Sequence, residues 1–298
     1  MKIYSNADKL PQGEAPKTVT EGCLVLEGGA WRGIYTQGAL DALMEEGINF
    51  QTVTGISAGA MSGLGYVSGQ IGFSGRINLT YRHDKNYCGL GAYTRDSGVT
   101  GFSYFFNRIM PDNHFDISRF ADPRRRFVVA ATNCHTGEAA YFEKGSCDIF
   151  KAVQASATVP YASKPVDIDG TPYLDGGCAT KIPYQWAKDS GFSKIFVIRT
   201  RDRTFRKEES DHDRLNHFFY RKYPKLEEAL AVGNSSYNKL LGQIEDDERT
   251  GRTFVLAPKK PVEISRFEGD MEALGELYWN GYNEMHEHME ELKEYLAS

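Results

Sequence analysis

The 298-residue chain contains no apolar run long enough to cross a bilayer, which argues against a helical membrane anchor. Its opening, MKIYSNADKLPQGEAPK, lacks the apolar stretch of a secretory signal. The five cysteines (Cys23, Cys88, Cys134, Cys147 and Cys178) are scattered, odd in number and never spaced Cys-x-x-Cys. That pattern argues against a disulfide framework or a zinc knuckle and fits a reducing compartment. There is no EF-hand or zinc signature, so no metal and no cofactor is expected. His286 and Glu290 lie one helical turn apart, but two ligands are too few for a metal site. A formal charge of −5 gives no general attraction to nucleic acid or anionic lipid. The expected location is the cytoplasm, with any membrane contact peripheral.

Charge is unevenly spread. Arg199–Lys225 carries nine Lys/Arg against five Asp/Glu, whereas Asp270–Ser298 has eight acids and one lysine. Both read most simply as solvated faces. Within the basic stretch, RLNHFFYRKYPKL mixes bases with aromatics. It fits an exposed helix with one packed face, and it also fits an interfacial segment. No nucleic-acid-binding motif accompanies it, so nucleic acid is not an expected partner.

What is present is an alternation of strands and helices. CLVLEGG, Cys23 to Gly29, is a short apolar run ending in glycines, as in a buried parallel strand. Ile34 to Glu46 has helical apolar spacing and stops at Gly47. Val53 and Thr54 form another strand, and Ala58 to Val67 a helix of small residues. Further strands are expected at Phe127–Ala131 and Ala139–Phe142, and two more hinge at Asp169-Gly170. KIFVIRT and TFVLAP supply others, IFKAVQASATVP a helix stopped at Pro160, and Asp270–Leu296 one long acidic helix or two. Strands on both sides of residue 200 favour one continuous sheet.

Three features carry chemistry. TGISAGAMSG puts Ser57 between Gly55 and Gly59, where a strand turns into a helix. The serine is either a nucleophile on that turn or the cap of the helix that follows. LEGGAWRGIY places a glycine loop after the first strand, whose Gly28, Gly29 and Ala30 N–H groups are able to form an anion-binding nest. It matches neither a dinucleotide fingerprint nor a P-loop. Arg32 either anchors this loop or helps to stabilise an anionic substrate, and a structural salt bridge is an equal alternative. The third feature is Asp175 in YLDGGCATKIP, a carboxylate closing a strand. No histidine sits in a short turn after a strand, so a Ser-Asp-His triad is the second choice. A carboxylate base suffices if the oxyanion is stabilised at once.

Taken together, EGGAWRG, GISAG and DGG resemble the patatin-like phospholipase family over roughly Gly22 to Ser190, most closely bacterial members with a C-terminal helical extension. The resemblance implies an α/β protein: a three-layer α/β/α patatin-like fold with a central, mostly parallel sheet. It divides the chain into a polar lead-in (1–21), a catalytic segment (22–190) and an extension (191–298) that continues the sheet and adds helices. It implies Ser57 as nucleophile with Asp175 as its sole side-chain partner, and Gly28, Gly29 and Ala30 as oxyanion donors. Arg32 and Gly33 would support the loop, and Gly55 and Gly59 the elbow. The implied reaction is hydrolysis of a lipid or other acyl ester through an acyl-serine. A non-catalytic lipid- or anion-binding regulator and a short-chain esterase or thioesterase are the alternatives. Ala30 stands where the family often has glycine, and its methyl is tolerable if φ there stays negative. The aromatic run GFSYFFNRIM, with Phe102, Tyr104, Phe105, Phe106, Ile109 and Met110, is either ordinary core or a lip for the acyl chain.

Overall fold

Alternation in the first core strand, β1 (Thr20–Leu26), sets the layering. Leu24 and Leu26 join one hydrophobic cluster, Cys23 and Val25 another, and all four are fully buried. A strand apolar on both faces requires cover on both sides, which a three-layer α/β/α arrangement supplies. The computed structural model describes residues 2–208 and 213–298.

Along the chain follow helix α1 (Gly33–Glu45), β2 (Phe50–Gly55), helix α2 (Ala58–Val67), β3 (Arg126–Asn133) and β4 (Ala139–Glu143). Next come helix α3 (Ile149–Ser156), β5 (Val166–Ile168), β6 (Thr171–Asp175), helix α4 (Tyr184–Asp189) and β7 (Ile195–Ile198). The chain closes with α5 (Pro224–Arg249), β8 (Thr253–Leu256), α6 (Met271–Glu287) and α7 (Met289–Ala297). The eight-stranded sheet runs β8-β7-β1-β2-β3-β6-β5, with β4 also paired to β3. Pairings from β8 to β3 are parallel; those of β4, β5 and β6 are antiparallel. At the β5–β6 hinge Asp169 (φ 51°) and Gly170 (φ 79°) are both left-handed, as a tight two-residue hairpin demands.

The longest helix of the described residues, α5, was not apparent in the sequence: its charged and apolar residues alternate without a clean stripe, and only Leu226, Tyr237, Leu241 and Ile244 among its apolar side chains are buried. The polar start is tied down as well, since Tyr4 and Leu10 are buried and Gly13–Glu14 pairs with Gln70–Ile71. GFSYFFNRIM turns out to be mostly core. Phe102, Phe105, Ile109 and Met110 are buried, and Phe106 packs on Phe150.

The C-terminal segment joins the first through α6, which lies on α1 with backbones in contact. A Cβ on Gly38 would stand 2.0 Å from the Tyr278 carbonyl oxygen, and one on Gly281 2.0 Å from that of Tyr35. The same contact buries Asp41, which accepts from the Tyr278 hydroxyl and, at 2.7 Å, from the Gly72 N–H. Burial pushes its carboxyl up to about 7 despite these donors.

Gly38→Leu is expected to lower stability by about 3 kcal/mol or more in urea unfolding, because backbone rather than a flexible side chain blocks the new atoms. Asp41 also makes stability depend on pH. Its folded value lies above the unfolded one, so its contribution is full below about pH 4 and declines as pH rises to about 7. Unfolding curves across that range should be steeper in pH for the native protein than for Asp41→Asn.

Candidate active site

One edge of β3 is divided between two strands that approach each other head-on. Val128 and Val129 pair with both β2 and β4, while Ala131 and Thr132 pair with both β4 and β6. A strand has two edges, so β4 occupies one and β2 and β6 share the other. β2 ends with Gly55 opposite Val129; β6, running the other way, ends with Asp175 opposite Ala131. Ala130 lies in the gap. Its carbonyl accepts from the Ser156 hydroxyl at 2.6 Å, and that hydroxyl accepts from the Ser57 N–H at 2.9 Å. The Thr132 hydroxyl holds the Asp175 carbonyl at 2.8 Å. Both strand ends are thereby anchored to β3.

Ser57 adopts φ 54°, ψ −121°, a conformation that costs a non-glycine residue roughly 1–3 kcal/mol. It occupies the position that caps α2, yet its side chain makes no capping bond. Instead Oγ donates to Asp175 Oδ2 at 2.7 Å. The sharp turn brings α2 across the strands it leaves. A Cβ on Gly59 would lie 2.5 Å from the Leu26 carbonyl oxygen, and one on Gly55 2.7 Å from the Gly59 carbonyl carbon. Gly33 similarly leaves room for Ala58, whose Cβ a methyl there would approach to 2.7 Å.

Asp175 is buried, and its Oδ1 accepts from the Gly177 N–H at 2.7 Å. Burial raises its carboxyl above the ordinary range; the Ser57 hydroxyl, the Gly177 N–H, Lys181 and Arg266 oppose that rise. No histidine of the described residues lines the space around Ser57, and His212 lies outside the described residues.

The glycine loop departs from expectation in two respects. The Gly28 N–H is already committed to the Lys181 carbonyl at 3.0 Å, so it is not a free member of the nest. Gly29 and Ala30, whose N–H groups have no acceptor among the described residues, remain as donors beside Ser57. Ala30 has φ 49°, the strained side of the expectation for a methyl at this place. Arg32 makes no salt bridge among the described residues; it reaches the Ile264 carbonyl at 3.4 Å, and its buried Nε has no partner.

Two cavities meet at Ser57. One, about 260 Å³, is lined by Trp31, Ile34, Met61, Val99, Phe102 and Phe267, among others. The other, about 590 Å³, is lined by Arg32, Asp175, Lys181, Arg201, Lys207 and Tyr237, among others. Ala30, Ser57, Val159 and Arg266 border both. The convergence of Lys181, Arg201, Lys207 and Arg266 on the larger cavity and the Ser156 bridge were not legible in the sequence, because they join separate segments. Among the described residues no group of His, Cys, Asp and Glu is placed to hold a metal ion, and no helix is long and apolar enough to cross a membrane. Phe218 and Leu215, on the helix Asp213–Tyr220, are exposed while Tyr220 is buried, so that segment packs by one face.

Fold and site together define a class: a three-layer α/β/α protein with a serine on a strand-to-helix elbow, facing a buried carboxylate. The family model described as Patatin-like phospholipase matches residues 24–187, and the chain belongs to that family. A second model, DUF6363, a domain of unknown function, matches residues 223–297. The chain is 28% identical over 182 residues to the uncharacterized protein YjjU of Escherichia coli (strain K12), covering 59% of this chain and 51% of that one. It is 30% identical over 184 residues to lysophospholipase nte1 of Aspergillus terreus, covering 59% of this chain and 12% of that protein. It is 27% identical over 179 residues to the probable lipid hydrolase 463L of Invertebrate iridescent virus 6, covering 54% of this chain and 61% of the viral one. The matches thus span about half the length of the first of these relatives and a small part of the second. Among solved structures, VipD from Legionella pneumophila shares the fold, with TM-score 0.52 and 14% identity over 94% of this chain and 68% of that one.

Ser156→Ala is expected to lower stability by about 1–3 kcal/mol in urea unfolding, since it leaves the Ser57 N–H and the Ala130 carbonyl without their partner.

Proposed function

We propose that this protein is a serine acyl hydrolase that cleaves fatty-acyl esters through an acyl-serine, with Ser57 as nucleophile and Asp175 as its base. The observation that supports it most is the 2.7 Å hydrogen bond from Ser57 Oγ to Asp175 Oδ2, at the border of an apolar and a cationic cavity. The relatives named lysophospholipase and lipid hydrolase agree with a lipid ester as substrate.

In this reading the acyl chain lies along Trp31, Met61 and Phe102, and the alcohol portion in the larger cavity. Ser57 Oγ attacks the ester carbonyl carbon while its proton passes to Asp175 Oδ2. The carbonyl π electrons move onto oxygen, which the Gly29 and Ala30 N–H groups receive. Collapse re-forms the carbonyl and breaks the bond to the alcohol oxygen, which takes the proton back from Asp175. Water then repeats the sequence on the acyl-serine. A carboxylate is a weak base, but burial makes Asp175 a stronger one than its exposed counterpart. The strained Ser57 backbone and the Gly177 bond hold both partners in place before substrate arrives. The protein is read as cytoplasmic, meeting its lipid at a membrane periphery.

A fluorophosphonate probe should label the native protein and not Ser57→Ala; equal labelling of the two would overturn the assignment. Asp175→Asn should lower turnover of a p-nitrophenyl acyl ester by roughly 10²–10⁴-fold with the melting transition retained. Undiminished turnover would point to a different base. A chain-length series separates a lipid hydrolase, which favours long acyl groups, from a short-chain esterase. The base acts only when ionised, so kcat/KM should rise with pH through the Asp175 pKa. That acid limb should lie above the ordinary carboxylate value of about 4.

A further inference from the structure

Five basic side chains line the larger cavity: Arg32, Lys181, Arg201, Lys207 and Arg266. None of them has a carboxylate within ion-pair distance among the described residues. Neighbours in the same segment behave differently. Arg203 pairs with Glu248 at 2.6 Å and Arg206 with Glu245 at 2.7 Å, both on α5. Arg203 and Arg206 thus have carboxylate partners on α5, whereas the five that line the cavity have none among the described residues.

The inward cations are held by neutral groups. Lys181 donates to the Gly177 carbonyl, Arg201 to that of Val262 and Arg32 to that of Ile264. Arg201 also lies over the Phe205 ring at 4.5 Å, and Lys207 over the Tyr237 ring at 4.9 Å. Buried Nε atoms of both Arg32 and Arg201 have no acceptor among the described residues. The carboxylates of the cavity offset only part of this charge. Glu27 accepts from the Tyr237 hydroxyl at 2.6 Å and from the N–H and hydroxyl of Thr200, neutral donors that leave its charge in place. Asp175 accepts from Ser57, and with Glu263 the cavity sets three carboxylates against five basic side chains. Like charges gathered in a partly dry space with orphaned donors are unfavourable unless an anion completes them. Burial and the neighbouring Lys181 pull the Lys207 ammonium down to about 6, so near pH 7 it is fully charged only when an anion beside it draws the proton back.

We propose that this cavity is a headgroup subsite, selecting acyl esters whose alcohol portion carries a phosphate monoester. The proposal rests on the acyl-hydrolase reading and adds its substrate class. Position supports it: Arg266 borders both cavities, so the phosphate would sit on the alcohol side of an ester held at Ser57. A phosphate monoester brings nearly two negative charges and three acceptor oxygens to unpaired N–H donors. Zwitterionic headgroups are a poorer match, because their ammonium group would enter a cavity in which basic side chains outnumber carboxylates.

The test compares kcat/KM for 1-oleoyl-glycerol 3-phosphate, 1-oleoylglycerol and 1-oleoyl-glycero-3-phosphocholine in neutral detergent micelles. The phosphate monoester should exceed both others by at least about tenfold, the effect of one charge-assisted hydrogen bond. Lys207→Met should bring the ratio of phosphate monoester to 1-oleoylglycerol down toward unity, and Lys207→Arg should restore it, with melting curves checking each fold. A native ratio near unity, a preference for phosphocholine, or a ratio unmoved by Lys207→Met would overturn the headgroup assignment. So would inhibition of 1-oleoylglycerol cleavage by inorganic phosphate without any preference among the three esters, which marks a free-anion site. Loss of fluorophosphonate labelling at Ser57 sinks the acyl-hydrolase reading itself. A labelled, active enzyme indifferent to the headgroup sinks only this inference.

Discussion

The edge of β3 is the constraint from which the site follows. A strand offers a fixed row of hydrogen-bonding groups, and here β2 takes the first part of that row and β6 the last. Their ends face each other across Ala130, so the residues just beyond or at those ends, Ser57 and Asp175, come within 2.7 Å although 118 positions separate them in sequence. No loop has to reach across the molecule to bring them together. The unpaired Ala130 carbonyl would be costly if left so; Ser156 satisfies it and passes the anchoring on to the Ser57 N–H.

Strain and close approach concentrate at the same place. Ser57 and Ala30 both hold positive φ; Gly55 and Gly59 are pressed against backbone, Gly29 and Gly33 against the Thr200 and Ala58 side chains. Such conformations persist where surrounding packing over-determines them. Here β1, β2 and the starts of α1 and α2 supply that packing, with Val25, Leu26, Val53 and Ala60 fully buried. The result is a serine that points its hydroxyl away from its own helix and toward a carboxylate, with two backbone N–H groups open beside it.

Residues after 190 contribute more than a tail. β7 and β8 extend the sheet by parallel pairing, and α6 lies on α1 at backbone contact through Gly38 and Gly281. The same part of the chain brings Lys207, Tyr237 and Arg266 to the larger cavity. Its acidic character, visible in the sequence, is spent partly in pairing: Glu284 accepts from the Tyr35 hydroxyl at 2.7 Å, and Glu287 pairs with Lys259.

By itself the sequence determined the strands of the large sheet, several of the helices, the sharp turn at Ser57 and the glycine loop, because each depends on contacts between near neighbours. Alternation marks a buried strand, Asp169-Gly170 marks a hairpin, and glycines flanking a serine mark an elbow. The long helix α5 was not legible, since its buried side is defined by what packs on it. Only the tertiary structure decided that the Gly28 N–H is occupied, that Ala30 is left-handed and that Phe102 reaches the apolar cavity while Phe105 and Phe106 fill core. Arg32 and the basic stretch Arg199–Lys225 were visible in the sequence, but their convergence with Lys181 and Arg266 on one cavity was not, for the same reason. Whether a lysine or arginine has a carboxylate within reach depends on segments distant in sequence, and no pattern of neighbouring residues records it.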